Sequence, residues 1–367
     1  MSDLKTTPLR EFHLAHGGRL VPFAGWELPV QYTGILEEHR AVRTKAGLFD
    51  VSHMGEVGVK GPQALDLLQH LLTNDISRAE VTGAIYSVMC YENGGCVDDV
   101  IVYHRGKNDY FICVNASNAE KDIEWIRQHA VGYDCVVTDL CAEYAQIALQ
   151  GPIAWDIVRA AGFKGEAPAR FHAIDAVVAG KKVYLSRTGY TGEDGCEMYC
   201  APGDVMALAG SLYEAGKPMG LLLCGLGARD SLRLEAGMPL YGHEISQDVT
   251  PLQAGLGWAV KLGKKQDFIG KTALAAQSAE GLNLKTVHFY LEGRRIAREG
   301  ATVFDGAGRP VGHVCAGSFS PIIERPIGSA VVDHRCDVAA LFVELRGVKE
   351  AMRVAKAPLH KNFGQPS

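Results

Sequence analysis

The chain has 367 residues, 47% of them hydrophobic and 22% charged, a length that calls for more than one hydrophobic core and a composition that excludes disordered, collagen-like and low-complexity scaffolds. Its 37 Lys plus Arg against 42 Asp plus Glu leave a net charge of -5, which provides no basic footprint for a polyphosphate backbone and argues against nucleic acid as a partner. Apolar runs such as Met219 to Cys224 fall well short of the roughly 20 residues that cross a bilayer, and the opening Met-Ser-Asp-Leu-Lys-Thr-Thr-Pro resembles neither a secretory signal nor a transit peptide, which points to a cytoplasmic protein.

In chain order, Thr7-Pro8 predicts a short helix with Thr7 as hydroxyl N-cap, ending at Gly17-Gly18, and then a loop-rich stretch. Gln63 to Leu72 carries Leu65, Leu68 and Leu72 at helical spacing behind the breaker Gly61-Pro62. Val97 to Tyr103 and Tyr110 to Val114 read as the strands of a hairpin turning through Arg105 to Asp109. Ser117 and Glu120 have capping-box spacing before a helix predicted to run to about Ala130. Gln146 to Leu149, the Gly151-Pro152 turn with its following helix, two strands around Gly180 and a strand at Cys196 to Cys200 extend an α+β pattern of antiparallel strands and helices. From Lys285, short apolar runs broken by Asp305-Gly-Ala-Gly308, Gly317, Pro326-Ile-Gly328 and Arg346-Gly347 predict a small all-β barrel. A boundary near Ala276 to Asn283, after a short helix from Lys271, divides an α+β region at 1–275, expected as two lobes, from a barrel domain at 284–364.

The ten cysteines form no CxxC pair and sit mostly in apolar strand-like runs, so they read as reduced core residues. Cys196 and Cys200 fall on one strand face but too far apart for one bridge. His13 and His16 have no further ligand at metal spacing and are expected at the surface. The chain has no Walker sequence, HExxH, GxSxG or deaminase motif.

Three places carry chemistry. In Asn93-Gly-Gly-Cys-Val-Asp-Asp-Val100, Asp98 and Asp99 point to opposite faces of a strand, each in an apolar row, so at least one is expected to be buried. The strand pattern leaves two readings open: a substrate-facing acid or base, or an Asp at the sheet end facing water. Gly189-Tyr-Thr-Gly-Glu-Asp-Gly195 is a glycine-punctuated loop before Glu197, a carboxylate in a strand of Cys, Met and Tyr with no obvious local partner, suited to a ligand bearing N–H donors. Leu223-Cys-Gly-Leu-Gly-Ala-Arg-Asp230 mimics a dinucleotide fingerprint but places Asp230 where the third glycine belongs, opposing a pyrophosphate. Arg229 and Arg233 share a helical face near the end where the macrodipole disfavours cations, which leaves either an anchor for a carboxylate or carbonyl, or a solvated salt-bridging face.

Taken in order, Thr7-Pro-Leu-Arg-Glu-Phe-His-Leu-Ala-His16, Phe23-Ala-Gly-Trp26, Phe49-Asp-Val-Ser-His-Met54, Gly94-Gly-Cys-Val-Asp-Asp99, Gly189 to Gly195, Ala228-Arg-Asp-Ser-Leu-Arg-Leu-Glu-Ala-Gly237, Leu240-Tyr-Gly242 and Thr250-Pro251 resemble the glycine cleavage T-protein (aminomethyltransferase) family over nearly the whole chain. The resemblance implies a three-lobed cloverleaf with tetrahydrofolate in a central channel. It implies transfer of the one-carbon unit from aminomethyl-dihydrolipoyl H-protein to tetrahydrofolate, with no metal and as a monomer. By position it implies Asp99 as the functional aspartate, Glu197 as the acid on the pterin, Met54 and Tyr190 as pocket lining, Asn115 as a channel residue, Arg229 as a folate-binding arginine and Trp258 by the folate tail. Phe363 stands where some relatives have a tyrosine. A tetrahydrofolate-dependent demethylase of a small substrate on the same fold is the alternative, and a non-catalytic folate-binding scaffold a third reading, against which Asp99 argues.

Overall fold

The computed structural model describes residues 4–364. The described residues form two compact units, one from 4–69, 76–86 and 100–229, the other from 70–75, 87–99 and 230–364.

The first elements are β1 (Lys5–Thr6), α1 (Arg10–Ala15), and a hairpin of β2 (Arg19–Phe23) and β3 (Trp26–Gln31). Thr7 does not cap the helix. Its hydroxyl donates to the Asp50 carboxylate at 2.6 Å, and α1 begins only at Arg10, without a side-chain cap. The stretch expected to be loop-rich is the β2–β3 hairpin, turned by Ala24 and Gly25 at positive φ. Pro22 and Pro29 interrupt its strand signal in the sequence.

Next come α2 (Ile35–Thr44), β4 (Ala46–Asp50), β5 (Gly55–Lys60), α3 (Ala64–Leu71), β6 (Ala84–Cys90), β7 (Cys96–Gly106), β8 (Asp109–Val114), α4 (Ala119–His129) and β9 (Val136–Asp139). Strands β6, β7, β8, β5 and β9 make a five-stranded sheet in that order. The β7–β8 hairpin forms as its sequence predicts, with a tight turn at Lys107 and Asn108. Helix α4 also runs as expected, but the capping box is not formed: Asn118 is the N-cap and makes no side-chain cap bond.

A six-stranded sheet follows from β10 (Ala145–Gln150), α5 (Ala154–Ala160), β11 (Ala173–Val178), β12 (Lys181–Ser186), β13 (Gly195–Cys200), α6 (Val205–Gly216), β14 (Leu221–Leu223) and α7 (Leu226–Ala236). Its order is β11-β12-β13-β10-β4-β14. The β14–β4 pairing is parallel, as is β1–β3, which departs from the expected antiparallel sheets. One face of this sheet buries Leu48, Ile147, Leu149, Cys196, Met198 and Cys200 against Ile157, Leu208 and Leu212 of α5 and α6. Alternation along the strands therefore turns Glu197 and Tyr199 to the opposite face.

In the second unit α8 (Lys271–Glu280) precedes β15 (Leu284–Leu291), β16 (Thr302–Phe304), β17 (Pro310–Ser320), β18 (Arg325–Asp333), β19 (Phe342–Leu345) and β20 (Val348–Val354), and α9 (Leu359–Asn362) follows. The six strands close into the barrel the sequence predicts, in the order β15-β18-β17-β16-β19-β20, with Phe289, Val303, Val314, Ala330, Val332 and Met352 inside. Closure removes exposed sheet edges. Gly312 sits in mid-strand because a Cβ there would meet the Val331 carbonyl oxygen at 2.0 Å.

Candidate active site

In β13, Glu197 lies opposite Ala148 of β10 and Ser186 of β12, and Tyr199 lies opposite Gln146 and Tyr184. Cross-strand partners share a face, so the polar Gln146 and Ser186 and the two tyrosines gather beside Glu197. Glu197 Oε2 accepts a short hydrogen bond from the Thr188 hydroxyl, and Oε1 accepts one from Gln146 Nε2 at 3.3 Å. The expectation of a carboxylate without a local partner is thus corrected. Burial pushes the Glu197 carboxyl up, the Thr188 bond and the Arg229 charge pull it back, and the balance stays above the ordinary carboxylate range.

A hydroxyl chain continues from Thr188 to Ser186 at 2.8 Å and to Tyr103 at 3.2 Å, and from Tyr103 to Tyr199 at 3.1 Å. Tyr103, Phe111, Tyr184 and Tyr199 pack mostly edge to face, and Met54 packs on this cluster. The Arg229 guanidinium lies 4.6 Å from the Tyr190 ring centroid, a cation–π contact. One turn further along α7, Arg233 is buried and paired with Glu244. The two arginines on one helix therefore do different work.

The loop that carries Tyr190 is fastened from several sides. Gln150 Nε2 donates to the carbonyls of Thr188 at 3.1 Å and Cys196 at 3.3 Å, while its Oε1 accepts from the Thr191 hydroxyl at 2.9 Å. Arg43 reaches the Thr191 carbonyl at 2.6 Å and the Glu193 carboxylate at 3.0 Å, and Arg187 holds Asp194 through two bonds of 2.9 and 2.6 Å. A Cβ on Gly189 would meet Gln150 Oε1 at 1.9 Å, so any larger residue there would displace the amide that fastens the loop.

Before Met54, the Asp50 carboxylate accepts from Thr7, from His13 Nε2 at 2.8 Å and from the Ser52 amide at 2.9 Å, and the Tyr32 hydroxyl bonds His13 Nδ1 at 2.8 Å. His13 is 1% exposed, which overturns its expected surface position: its partner lies 37 residues away in sequence. Burial raises the Asp50 carboxyl, but the bonds and charge of His13, with Thr7 and Ser52, bring it below the usual range. Burial and then the Arg229 charge push His53 down to about 4 against the opposing pull of Asp50, so a neutral imidazole stands next to Met54. Asn115 is half-buried just beyond β8.

In the second unit, Asp98 is fully buried and Asp99 half-buried, in line with a strand that turns one carboxylate each way. The preceding turn is set by its glycines: Gly94 has φ +87, and a Cβ on Gly95 would strike the Gln247 carbonyl oxygen at 1.8 Å. A hydrogen bond with Cys90, burial, and the charges of Cys90, Asp99 and Asp98 hold the Cys96 thiol well above its usual range. All ten cysteines are free. Trp258 is 57% exposed in the short 3-10 turn Gly257–Ala259, which is anchored by the Thr73 hydroxyl on the Ala259 carbonyl at 3.0 Å. Phe363 packs on Tyr290, ring centroids 4.9 Å apart.

Met54, Asn115, Tyr190, Glu197 and Arg229 thus belong to the first unit, and Asp99, Trp258 and Phe363 to the second. Sequence reasoning missed Gln146, Thr188, Gln150 and His53. A signal for the glutamines existed: in Ala145-Gln-Ile-Ala-Leu-Gln150, strand alternation puts both on the face opposite Ile147 and Leu149.

Residues 9–264 match the family model of the GCVT N-terminal domain, and residues 285–361 match that of the glycine cleavage T-protein C-terminal barrel domain. The chain belongs to the glycine cleavage T-protein family, the aminomethyltransferases of the glycine cleavage system. It is 46% identical to the aminomethyltransferases of Bacillus cereus (strain B4264), over 365 residues, and Bacillus pumilus (strain SAFR-032), over 363, covering 98% of this chain and 99% of each relative. It is similar to the crystal structure of glycine cleavage system aminomethyltransferase T from Bartonella henselae, with a TM-score of 0.91 and 35% identity over 97% of this chain and 98% of that one. These likenesses favour aminomethyl transfer over the demethylase alternative. Among the described residues no helix is long and apolar enough to cross a membrane.

Proposed function

We propose that the enzyme takes the aminomethyl group from the dihydrolipoyl arm of H-protein and passes its carbon to tetrahydrofolate, in the cytoplasm and as a monomer. The products are 5,10-methylenetetrahydrofolate, ammonia and dihydrolipoyl H-protein. The observation that supports the folate part is the Glu197 carboxylate, which takes one protein donor on each oxygen and so keeps a lone pair on each for two N–H groups. The amino-pyrimidine edge of a pterin is a flat pair of such donors, and a charge-assisted contact of this kind contributes about 1.5–3 kcal/mol. In this reading Met54 and Tyr190 pack on the pterin, Arg229 and Asn115 complete the channel, and Trp258 and Phe363 serve the folate tail.

The reaction breaks the S–CH2 and CH2–NH2 bonds and forms two C–N bonds to folate. The two N–H protons that folate loses go to the lipoyl sulfur and to the departing ammonia. Asp99 is assigned the charge management: orienting the attacking nitrogen, stabilising the cationic iminium-like intermediate and relaying a proton. Folate is the acceptor, and the protein supplies position and charge.

The test is ammonia release from aminomethylated H-protein with and without tetrahydrofolate. Release should be strongly stimulated by tetrahydrofolate, and Asp99→Ala should lose roughly 10²–10⁴ in turnover while keeping its folate dissociation constant. Near-normal turnover by that variant would remove Asp99 from the chemistry.

A further inference from the structure

The Gln146 amide is engaged at both ends. Nε2 donates to Glu197 Oε1 at 3.3 Å, and Oε1 faces the Cys113 thiol at 3.8 Å. Its backbone is also fixed: the Gln146 carbonyl accepts from the Val51 amide and the Ser52 hydroxyl, both at 3.0 Å, and its N–H donates to Ser52 Oγ at 3.1 Å. What remains undetermined by the backbone is which end of the amide meets Glu197, because a half-turn exchanges oxygen for nitrogen.

The two neighbours of the amide ask for the same orientation: the Glu197 carboxylate only accepts, and Cys113 stands at the other end. Cys113 lies opposite Glu56 in the β5–β8 pairing and is 7% exposed. Burial, then the charges of Glu56 and Glu197, keep its proton on sulfur, outweighing the Tyr199 bond and the Arg229 charge. A protonated thiol is a donor that calls for an oxygen. It therefore faces Oε1 and leaves the NH2 group for Glu197. With Thr188 on the other oxygen, the carboxylate plane is set before any ligand arrives.

We propose that Cys113 and Gln146 form a positioning relay that fixes the orientation of Glu197, so that a thiol one residue removed from Glu197 determines folate affinity. The relay rests on the reading of Glu197 as the pterin contact. It acts on binding and not on the carbon transfer, which separates it from a merely structural pair.

The experiment measures the tetrahydrofolate dissociation constant, KM and kcat of the full-length enzyme with loaded H-protein. Cys113→Val, close in shape but without the donor, should raise KM and the dissociation constant roughly 2- to 12-fold, the loss of one hydrogen bond, at unchanged kcat, and Cys113→Ser should restore them. Gln146→Glu should bind folate worse as pH rises through neutrality and recover toward acid, where the two carboxyls share a proton, a dependence absent from the unsubstituted enzyme. Cys113→Val with unaltered affinity, or Gln146→Glu with an equal loss at every pH, would overturn the relay. Glu197→Gln with an unaltered dissociation constant would overturn the pterin contact, and the relay with it. Glu197→Gln weakened while Cys113→Val and Gln146→Glu behave as the parent would overturn the relay alone.

Discussion

Each unit withdraws a glutamate from bulk water, and the two treat it in opposite ways. In the second unit Glu244, 2% exposed, accepts from Arg233 Nη1 at 2.9 and 2.7 Å, from the Leu240 amide at 3.0 Å and from the Ser329 hydroxyl. Burial raises this carboxyl, but the Arg233 charge and the bonds from Ser329, Arg233 and Leu240 outweigh it and bring it below the ordinary range. In the first unit Glu197 receives, among the described residues, only Thr188 and Gln146 and remains above that range. A carboxylate saturated with donors fastens α7 to strand β18, since any further ligand would find no lone pair. One left half-satisfied is held in position and still asks for donors. The same helix shows the division in its cations: Arg233 is spent on Glu244, whereas Arg229 lies over Tyr190.

Breaking the saturated pair should have the largest effect. Arg233→Met leaves Glu244 buried without its cation, a change that costs about 3–5 kcal/mol, read as a fall in the urea midpoint at unchanged slope. Because the Glu244 carboxyl is depressed in the folded protein, its contribution is present above the unfolded pKa and is lost as pH falls through the folded one, so the deficit of the variant should narrow in acid. A smaller effect, on binding and not on folding, is expected at the other acid. Glu197→Gln keeps shape but loses charge and one acceptor, and should weaken tetrahydrofolate binding by about 1.5–3 kcal/mol, with thermal unfolding level with or slightly above that of the parent because a desolvated charge has gone. A Glu197→Gln protein as unstable as Arg233→Met would erase the contrast.

The barrel was legible because its signal is local: glycine and proline punctuate short apolar runs, and three of the six strand pairings join strands adjacent in sequence. The β7–β8 hairpin and helices α3 and α4 were legible for the same reason. The half-buried acid of the site was visible as a carboxylate in an apolar strand, but its partners were not, because Gln146 lies 51 residues away and the bond depends on the β10–β13 register. His13 was misplaced for a like reason, its burial being decided by Asp50. Alternation separated Asp98 from Asp99, yet which of them is enclosed depends on what packs over each face. That information lies in tertiary structure and not in the period of the strand.

Glu56 sharpens the comparison from a third direction. Its side chain is buried, and neither carboxyl oxygen meets a hydrogen-bond partner among the described residues. Burial, with the charge of Asp139 adding to it, pushes the carboxyl well above the ordinary range, so this acid holds its proton to a higher pH than Glu244, whose carboxyl is brought below that range. A carboxyl raised in the folded state leaves stability intact below the unfolded pKa and withdraws it as pH climbs toward the folded value. Glu56→Gln has the same shape and no proton to lose. The variant and parent should therefore unfold together at the acid end of this window and separate in favour of glutamine as pH rises, by at most about 1.4 kcal/mol over the first pH unit. Parallel stability curves across that unit would show that the Glu56 carboxyl ionises as readily folded as unfolded. Spare lone pairs would then not be enough to mark a buried acid as one that the fold leaves unpaid, and the distinction drawn between Glu244 and Glu197 would rest on geometry alone.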